Sequence, residues 1–212
     1  MALLIFDLDG TLIDSKEDLT RAVNAARAEM GRGPLPTQQI GAYVGDGAPL
    51  LIRRSLGPEA TEDEIQHALE FFLEYYRHHA LETTVFYPGV EASLRRLASA
   101  GQQLAILTNK PVRISKLILD GLGVASLFAQ VYGGNSFEHK KPHRIGIDTL
   151  RTELTVEAAA TWMIGDTYID VQTARNAGVA ACGVKWGFRP ETFKEFPPDL
   201  LIGSMTELEQ AL

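Results

Sequence analysis

Residues 3–6, Leu-Leu-Ile-Phe, form an unbroken apolar run that reads as a strand buried on both faces. After Asp14-Ser15 the period changes. Leu19, Ala22, Val23, Ala26 and Met30 recur at helical spacing, with Asp14 or Ser15 available as a cap. Gly31, Gly33, Pro34 and Pro36 break that helix, and residues 40–44 and 48–56 read as two short helices. Thr61 with Glu64 three residues on has the capping-box pattern. Behind it, Ile65, Leu69, Phe72, Leu73 and Tyr76 give a fourth helix its apolar stripe. Residues 83–89 read as a linker. Beyond them, helical patterns at 90–100, 112–121, 143–153 and 168–177 alternate with strand-like runs at 103–108, 130–132, 161–165 and 179–184.

Such alternation predicts an α/β fold, a parallel sheet wrapped by helices on both faces. The helical block falls between the first strand and the alternating series, and no internal repeat suggests a solenoid. The expected architecture is a Rossmann-like core, residues 1–14 and 87–212, interrupted by an inserted helical cap at 15–86. Ligands of such cores bind beyond the carboxyl ends of the strands, which makes those ends the place to look for chemistry.

Composition narrows the picture. With 45% hydrophobic and 22% charged residues the chain has the make-up of an ordinary globular protein. Its formal charge of −7 argues against nonspecific nucleic-acid binding, and Lys140-Lys141 and Arg53-Arg54 are only pairs. No apolar run approaches the ~20 residues that cross a bilayer, and the amino terminus lacks a basic segment followed by an apolar core. No membrane association and a cytoplasmic location are therefore expected. Cys182 is the only cysteine, which excludes an intrachain disulfide and a Cys-based zinc site; its apolar strand suggests an inert thiol. Nothing in the composition distinguishes a monomer from a homodimer.

Four strand ends carry candidate chemistry. Asp7 and Asp9 follow the first strand at alternate positions, where strand geometry puts them on one face, and Gly10 lets the backbone leave the sheet. Paired acids there need a cation, and a hard divalent ion such as Mg2+ suits them. The second core strand ends in Thr108-Asn109-Lys110-Pro111, a hydroxyl and backbone amides at a helix amino terminus, suited to phosphate oxygens. Lys140-Lys141-Pro142 follows the third. The fourth ends in Gly165-Asp166, with Asp170 one helical turn on. Taken singly, these are also solvated strand-end acids, a cap and turn, a surface lysine pair, or acids favoured by a helix macrodipole. Jointly, each after a predicted strand, they put acids, a hydroxyl and a cation along one edge.

In this order the residues resemble the motifs of the haloacid dehalogenase-like phosphohydrolases: Asp7-Leu8-Asp9-Gly10-Thr11 the first, Thr108-Asn109 the second, Lys141-Pro142 the third, and Gly165-Asp166 with Asp170 the fourth. The resemblance implies that Asp7 is a nucleophile forming an aspartyl phosphate and Asp9 a general acid and base whose backbone carbonyl also ligates the metal. It implies that Thr108, the amide of Asn109 and Lys141 hold the phosphate, with Lys141 favoured over Lys140. Asp7, Asp9 and Asp166 would bind Mg2+, Asp170 would support the metal site, and Thr11 would support the turn. His139 and His143 lie outside the motif and read as surface or helix-capping residues. Arg144, where relatives commonly have Pro, should alter only the start of a helix.

Within that superfamily the chain is similar to the phosphoglycolate phosphatase group, through Asp14-Ser15 with Asp18-Leu19, Tyr43-Val44-Gly45-Asp46-Gly47-Ala48, and the Leu107–Pro111 and Lys140–His143 runs. This implies Mg2+-dependent hydrolysis of a small phosphorylated metabolite, 2-phosphoglycolate preferred. Gly45, Asp46 and Gly47 are the candidate cap residues for specificity, against the alternative of a plain turn between helices. Relatives often carry Asn in place of Asp46, and Lys185-Trp186-Gly187-Phe188-Arg189 also departs from the group. A phosphosugar mutase of the beta-phosphoglucomutase type is the alternative within the fold. Haloalkanoic acid dehalogenation would leave Asp9, Asp166 and Asp170 surplus. A phospho-accepting receiver domain lacks a helical insert and carries its aspartate on a middle strand, whereas Asp7 follows the first.

Overall fold

The computed structural model describes residues 1–211. The chain begins with β1 (Leu3–Phe6) and a two-residue β2 (Ile13–Asp14), then four helices, α1 (Lys16–Glu29), α2 (Thr37–Tyr43), α3 (Ala48–Leu56) and α4 (Glu62–His79). It returns through β3 (Val85–Phe86) to α5 (Val90–Ser99), β4 (Gln103–Leu107), α6 (Val112–Gly121), β5 (Gln130–Tyr132) and α7 (Ile145–Leu154). The last part holds β6 (Thr161–Gly165), α8 (Tyr168–Ala177), β7 (Ala180–Val184), β8 (Leu200–Ile202) and α9 (Met205–Ala211).

Six strands form one parallel sheet in the order β5-β4-β1-β6-β7-β8. The apolar run 3–6 is central, and its period of two divides it between both faces. Leu4 and Phe6 pack into a cluster with Leu94, Leu97, Ile114 and Ile118 of α5 and α6. Leu3 and Ile5 pack on the opposite side with Ile147 and Leu150 of α7 and Val171 and Ala174 of α8. Helices thus cover both faces, as alternation predicts. The strand order turns back at β1, so the ligand crevice belongs at its carboxyl end.

The expected boundaries hold with small changes. The expected short helix at 40–44 begins earlier, at Thr37, because its first turn is polar and shows no apolar period. The helix expected at 143–153 spans Ile145–Leu154, with Arg144 paired to Asp148 across its first turn. The capping box forms: the Thr61 hydroxyl accepts from Glu64 N–H at 3.3 Å, and Glu64 accepts from Thr61 N–H at 2.8 Å. β8 and α9 lie beyond the last element that the apolar pattern marks. Cys182 is buried in β7, and burial pushes its thiol up to about 12. No helix among the described residues is long and apolar enough to cross a membrane.

The linker at 83–89 is more ordered than its composition suggests. It contains β3, antiparallel to β2 with Ile13 opposite Phe86 and Asp14 opposite Val85, so both chain crossings into the helical block are paired. Asp18 of α1 fastens them. Its carboxylate accepts the amide (3.0 Å) and hydroxyl (2.6 Å) of Thr83 and the amide (2.9 Å) and hydroxyl (2.8 Å) of Thr84. Burial works against this charge, yet the Thr83 and Thr84 hydrogen bonds hold its pKa below the usual carboxylate range. Asp18→Asn turns an amide N–H toward those donors and is expected to cost about 2 kcal/mol. Urea unfolding checks this; a midpoint unchanged from the parent would show that the clamp carries no stability.

Candidate active site

β1 delivers Asp7 to the crevice. The Asp7 N–H donates to Ile164 O of β6 at 2.9 Å, and its carboxylate accepts Leu8 N–H at 2.8 Å. Lys141 Nζ stands 3.1 Å from the same oxygen and 2.6 Å from Asp170 Oδ1, so one buried ammonium joins two carboxylates. The chain then turns at Gly10, whose φ of 81° suits glycine; a Cβ there would stand 2.4 Å from Asp166 Oδ2. Asp166 is buried in this space, with Thr11 Oγ1 3.4 Å from Oδ1 and the Phe188 N–H donating to Oδ2 at 2.7 Å.

Asp7 and Asp9 both lie past β1, which ends at Phe6, so a turn and not a strand face sets the direction of Asp9. Its carboxylate accepts Ser15 Oγ at 2.5 Å and Lys110 Nζ at 2.9 Å on both oxygens. It still lines the same cavity as Asp7. Lys110 is the residue that sequence reasoning passed over. Buried at the end of β4, it also donates to the hydroxyl of Tyr76 on α4 at 2.7 Å, and burial pushes its pKa below the usual lysine range. Its position directly after a buried strand was visible; the direction of its side chain was not. The Phe188 amide was equally invisible, being backbone in a loop.

Thr108 is buried beside Asp7. Asn109 joins two loops through Nδ2, which donates to Lys141 O at 3.1 Å and to Gly45 O of the loop after α2 at 3.0 Å. The two lysines diverge: Lys141 points inward to Asp7 and Asp170, while Lys140 donates to the backbone oxygen of Asp46. Gly45 and Gly47 line the cavity. The Asp46 carboxylate instead pairs with Arg54 of α3 at 2.6 Å. Gly47 has φ 90°, and a Cβ there would lie 3.2 Å from Asn109 O, so glycine lets the loop sit against the core. Asp170 also caps α8, accepting the Thr167 amide and hydroxyl at 3.1 Å. The His139 and His143 rings lie 4.6 Å apart and tilted by 41°, and His143 Nδ1 accepts Ile145 N–H at the start of α7.

Residues 4–184 match the family model for haloacid dehalogenase-like hydrolases. The chain belongs to this family. A phosphoglycolate phosphatase of Psychrobacter arcticus is 37% identical over 88% of this chain and 84% of its own length. One of Vibrio parahaemolyticus is 35% identical over 97% and 93%. Among solved structures, a crystal structure of a predicted phosphoglycolate phosphatase from Haemophilus somnus superposes with a TM-score of 0.94, at 28% identity, over 100% of this chain and 97% of that one.

Phosphatases of the haloacid dehalogenase-like family typically use a divalent metal, and the donor set here fits one. Carboxylate oxygens of Asp7, Asp166 and Asp170 lie within 4.8 Å of one another, all buried. Among the described residues, only Lys141 forms an ion pair with any of them. Burial, with the charges of Asp170 and Asp7, pushes Asp166 up to about 8. Burial pushes Asp7 up to about 6 against the pull of Lys141. Burial also works against the Lys141 ammonium, yet Asp170 and Asp7 keep its pKa above the usual lysine range. A hard, oxygen-binding divalent ion removes the mutual repulsion that raises the acids.

This charge cluster makes stability depend on pH and on metal. Folded-state values of about 8 for Asp166 and about 6 for Asp7 lie above the ordinary 3.8, so the native state keeps protons that the unfolded chain has released. The metal-free protein should therefore lose stability as pH rises from about 4 to about 8. Its Tm in chelator is expected to fall by several degrees across that window. A divalent cation should raise Tm more at the alkaline end, because ion and proton compete for the same oxygens. An equal metal-induced shift at both ends would place the ion elsewhere.

Proposed function

We propose that this enzyme is a Mg2+-dependent phosphatase that hydrolyses a small phosphate monoester, preferably 2-phosphoglycolate, through an aspartyl phosphate on Asp7. The observation that carries the reading is the pairing of Asp7 with Lys141 at 3.1 Å beside Asp166 and Asp170, with Asp7 lining a cavity walled in part by the helical block. Residues 15–86 serve as a cap domain over a core made of 1–14 and 87–212. Asp7, Asp166 and the backbone carbonyl of Asp9 would hold the Mg2+, with Asp170 in support; the ion would supply positive charge to the phosphate oxygens.

Asp7 attacks phosphorus in line with the leaving oxygen. Lys141, the Thr108 hydroxyl and the Asn109 amide hold the nonbridging oxygens, where charge is concentrated. Asp9 protonates the departing alkoxide and then takes a proton from the water that cleaves the intermediate. Lys110 and Ser15 set the direction of its carboxylate.

Cavity size supports a small leaving group. Its volume is about 40 Å3. At ~10–15 Å3 per water on the same measure, that is room for roughly three waters. Any phosphate ester needs more room than this and enters as the cap lifts, and a two-carbon acid asks less of that opening than a hexose does. The names of the relatives point the same way.

Excess chelator is expected to abolish turnover of 2-phosphoglycolate, and Mg2+ to restore it; full activity in chelator would remove the metal from the proposal. Asp7→Asn should lower turnover by at least about 10⁴-fold with no phosphoenzyme. Asp9→Asn keeps the nucleophile but loses the proton shuttle, so it should spare attack best on para-nitrophenyl phosphate, whose leaving group needs no proton, and accumulate a trappable aspartyl phosphate. Rapid-quench labelling decides: label on Asp9 would make Asp9 the nucleophile, and label on neither variant nor the parent would favour direct attack by water.

A further inference from the structure

Where the cap loop meets the core, Arg189 stands without an anionic partner. Among the described residues, its Nε and Nη2 atoms are closed off from solvent and have no hydrogen-bond partner. The guanidinium lies over the Tyr168 ring, 5.7 Å from its centroid. It also abuts the cap loop, since a Cβ on Gly45 would stand 3.0 Å from Nη2. Both sides of this position lead to the reaction centre. Gly45 lines the cavity together with Asp7 and Asp9, and the preceding residue, Phe188, donates its N–H to Asp166.

The acids of the reaction centre and of the cap loop are already engaged: Asp166 with Phe188 and Thr11, Asp170 with Lys141 and Thr167, Asp46 with Arg54. A covered guanidinium without a counter-charge is costly, and buried unsatisfied donors are uncommon. Nε and Nη2 together form the side-on fork that receives a carboxylate through two parallel hydrogen bonds. A point charge such as a lysine ammonium offers no such match.

We propose that Arg189 receives the carboxylate of the substrate's leaving group and so selects phosphate monoesters of small hydroxy acids. The inference rests on the phosphatase reading above and names the residue behind its preference. The Gly45 loop covers the fork, so the carboxylate enters as the loop lifts and is enclosed when it returns. An ester without a carboxylate leaves the fork unpaired, which a site built for a polar group penalises.

The test compares kcat/KM for 2-phosphoglycolate with that for ethyl phosphate, matched in length but lacking the carboxylate, in the parent, Arg189→Met and Arg189→Lys. The parent should prefer 2-phosphoglycolate, and the ratio of the two values should fall on the order of 100-fold in Arg189→Met, mainly through KM for the acid ester. Arg189→Lys keeps the charge without the fork, and its ratio should fall about tenfold. That variant carries the test should Arg189→Met not fold. A parent preference that survives unchanged in the variants would overturn the assignment and leave the phosphatase reading standing, as would equal losses on both esters with a lowered Tm. A parent that turns over ethyl phosphate as well as 2-phosphoglycolate would overturn the assignment and the 2-phosphoglycolate preference together, with hydrolysis itself left standing.

Discussion

Concentrated negative charge at the end of β1 is the constraint to which the rest of the molecule answers. Asp7, Asp166 and Asp170 converge within 4.8 Å in a buried site, an arrangement that water does not relieve. Lys141 bridges two of them, and the third is held by a backbone amide and a threonine hydroxyl. Burial, and after it the neighbouring acids, raises the pKa of Asp7 and Asp166, and a divalent ion would favour their charged forms. The parallel sheet makes such a cluster tolerable, because β1 is flanked on both sides and its apolar residues are packed on both faces.

The helical block is seated on the core in part by polar contacts. Beside apolar packing that joins the two in one cluster, the Gly45 carbonyl takes the Asn109 amide, the Asp46 carbonyl takes Lys140, and the Tyr76 hydroxyl takes Lys110. Polar contacts of this kind can open and re-form at little cost when water replaces them, unlike a large apolar seam. The two chain crossings are built in the opposite way. β2 pairs with β3, and Asp18 binds both threonines after the block, so the point about which the block would move is the most firmly tied part of the junction. A lid that excludes water from the reaction needs both properties.

Asp46 shows how tertiary context resolves a conflict left open by the sequence. A carboxylate in a loop over an anionic substrate is unfavourable as long as it faces inward. Arg54, eight residues on and one helix away, draws it outward, leaving the two glycines and the backbone at the cavity wall. Lys110 and Asp9 are a second case. Residues on different strands' ends are brought together, and a tyrosine from the helical block completes the contact.

The order of elements and the gathering of the strand-end residues at one edge were legible in the chain itself, because both rest on local patterns. A period of two or of 3.6 states which face a residue takes, and acids, a hydroxyl and a lysine placed directly after buried strands are carried to one edge by a parallel sheet whatever the rest of the fold does. What the sequence could not determine is where side chains leaving turns and loops point. Asp9 was expected on a strand face but lies past the strand, and Lys110 looked like part of a cap. β3 looked like linker because two-residue strands carry no period. Arg189 sat in a loop with no pattern at all. Each of these depends on a partner distant along the chain, and only the packed structure decides which long side chain reaches which charge.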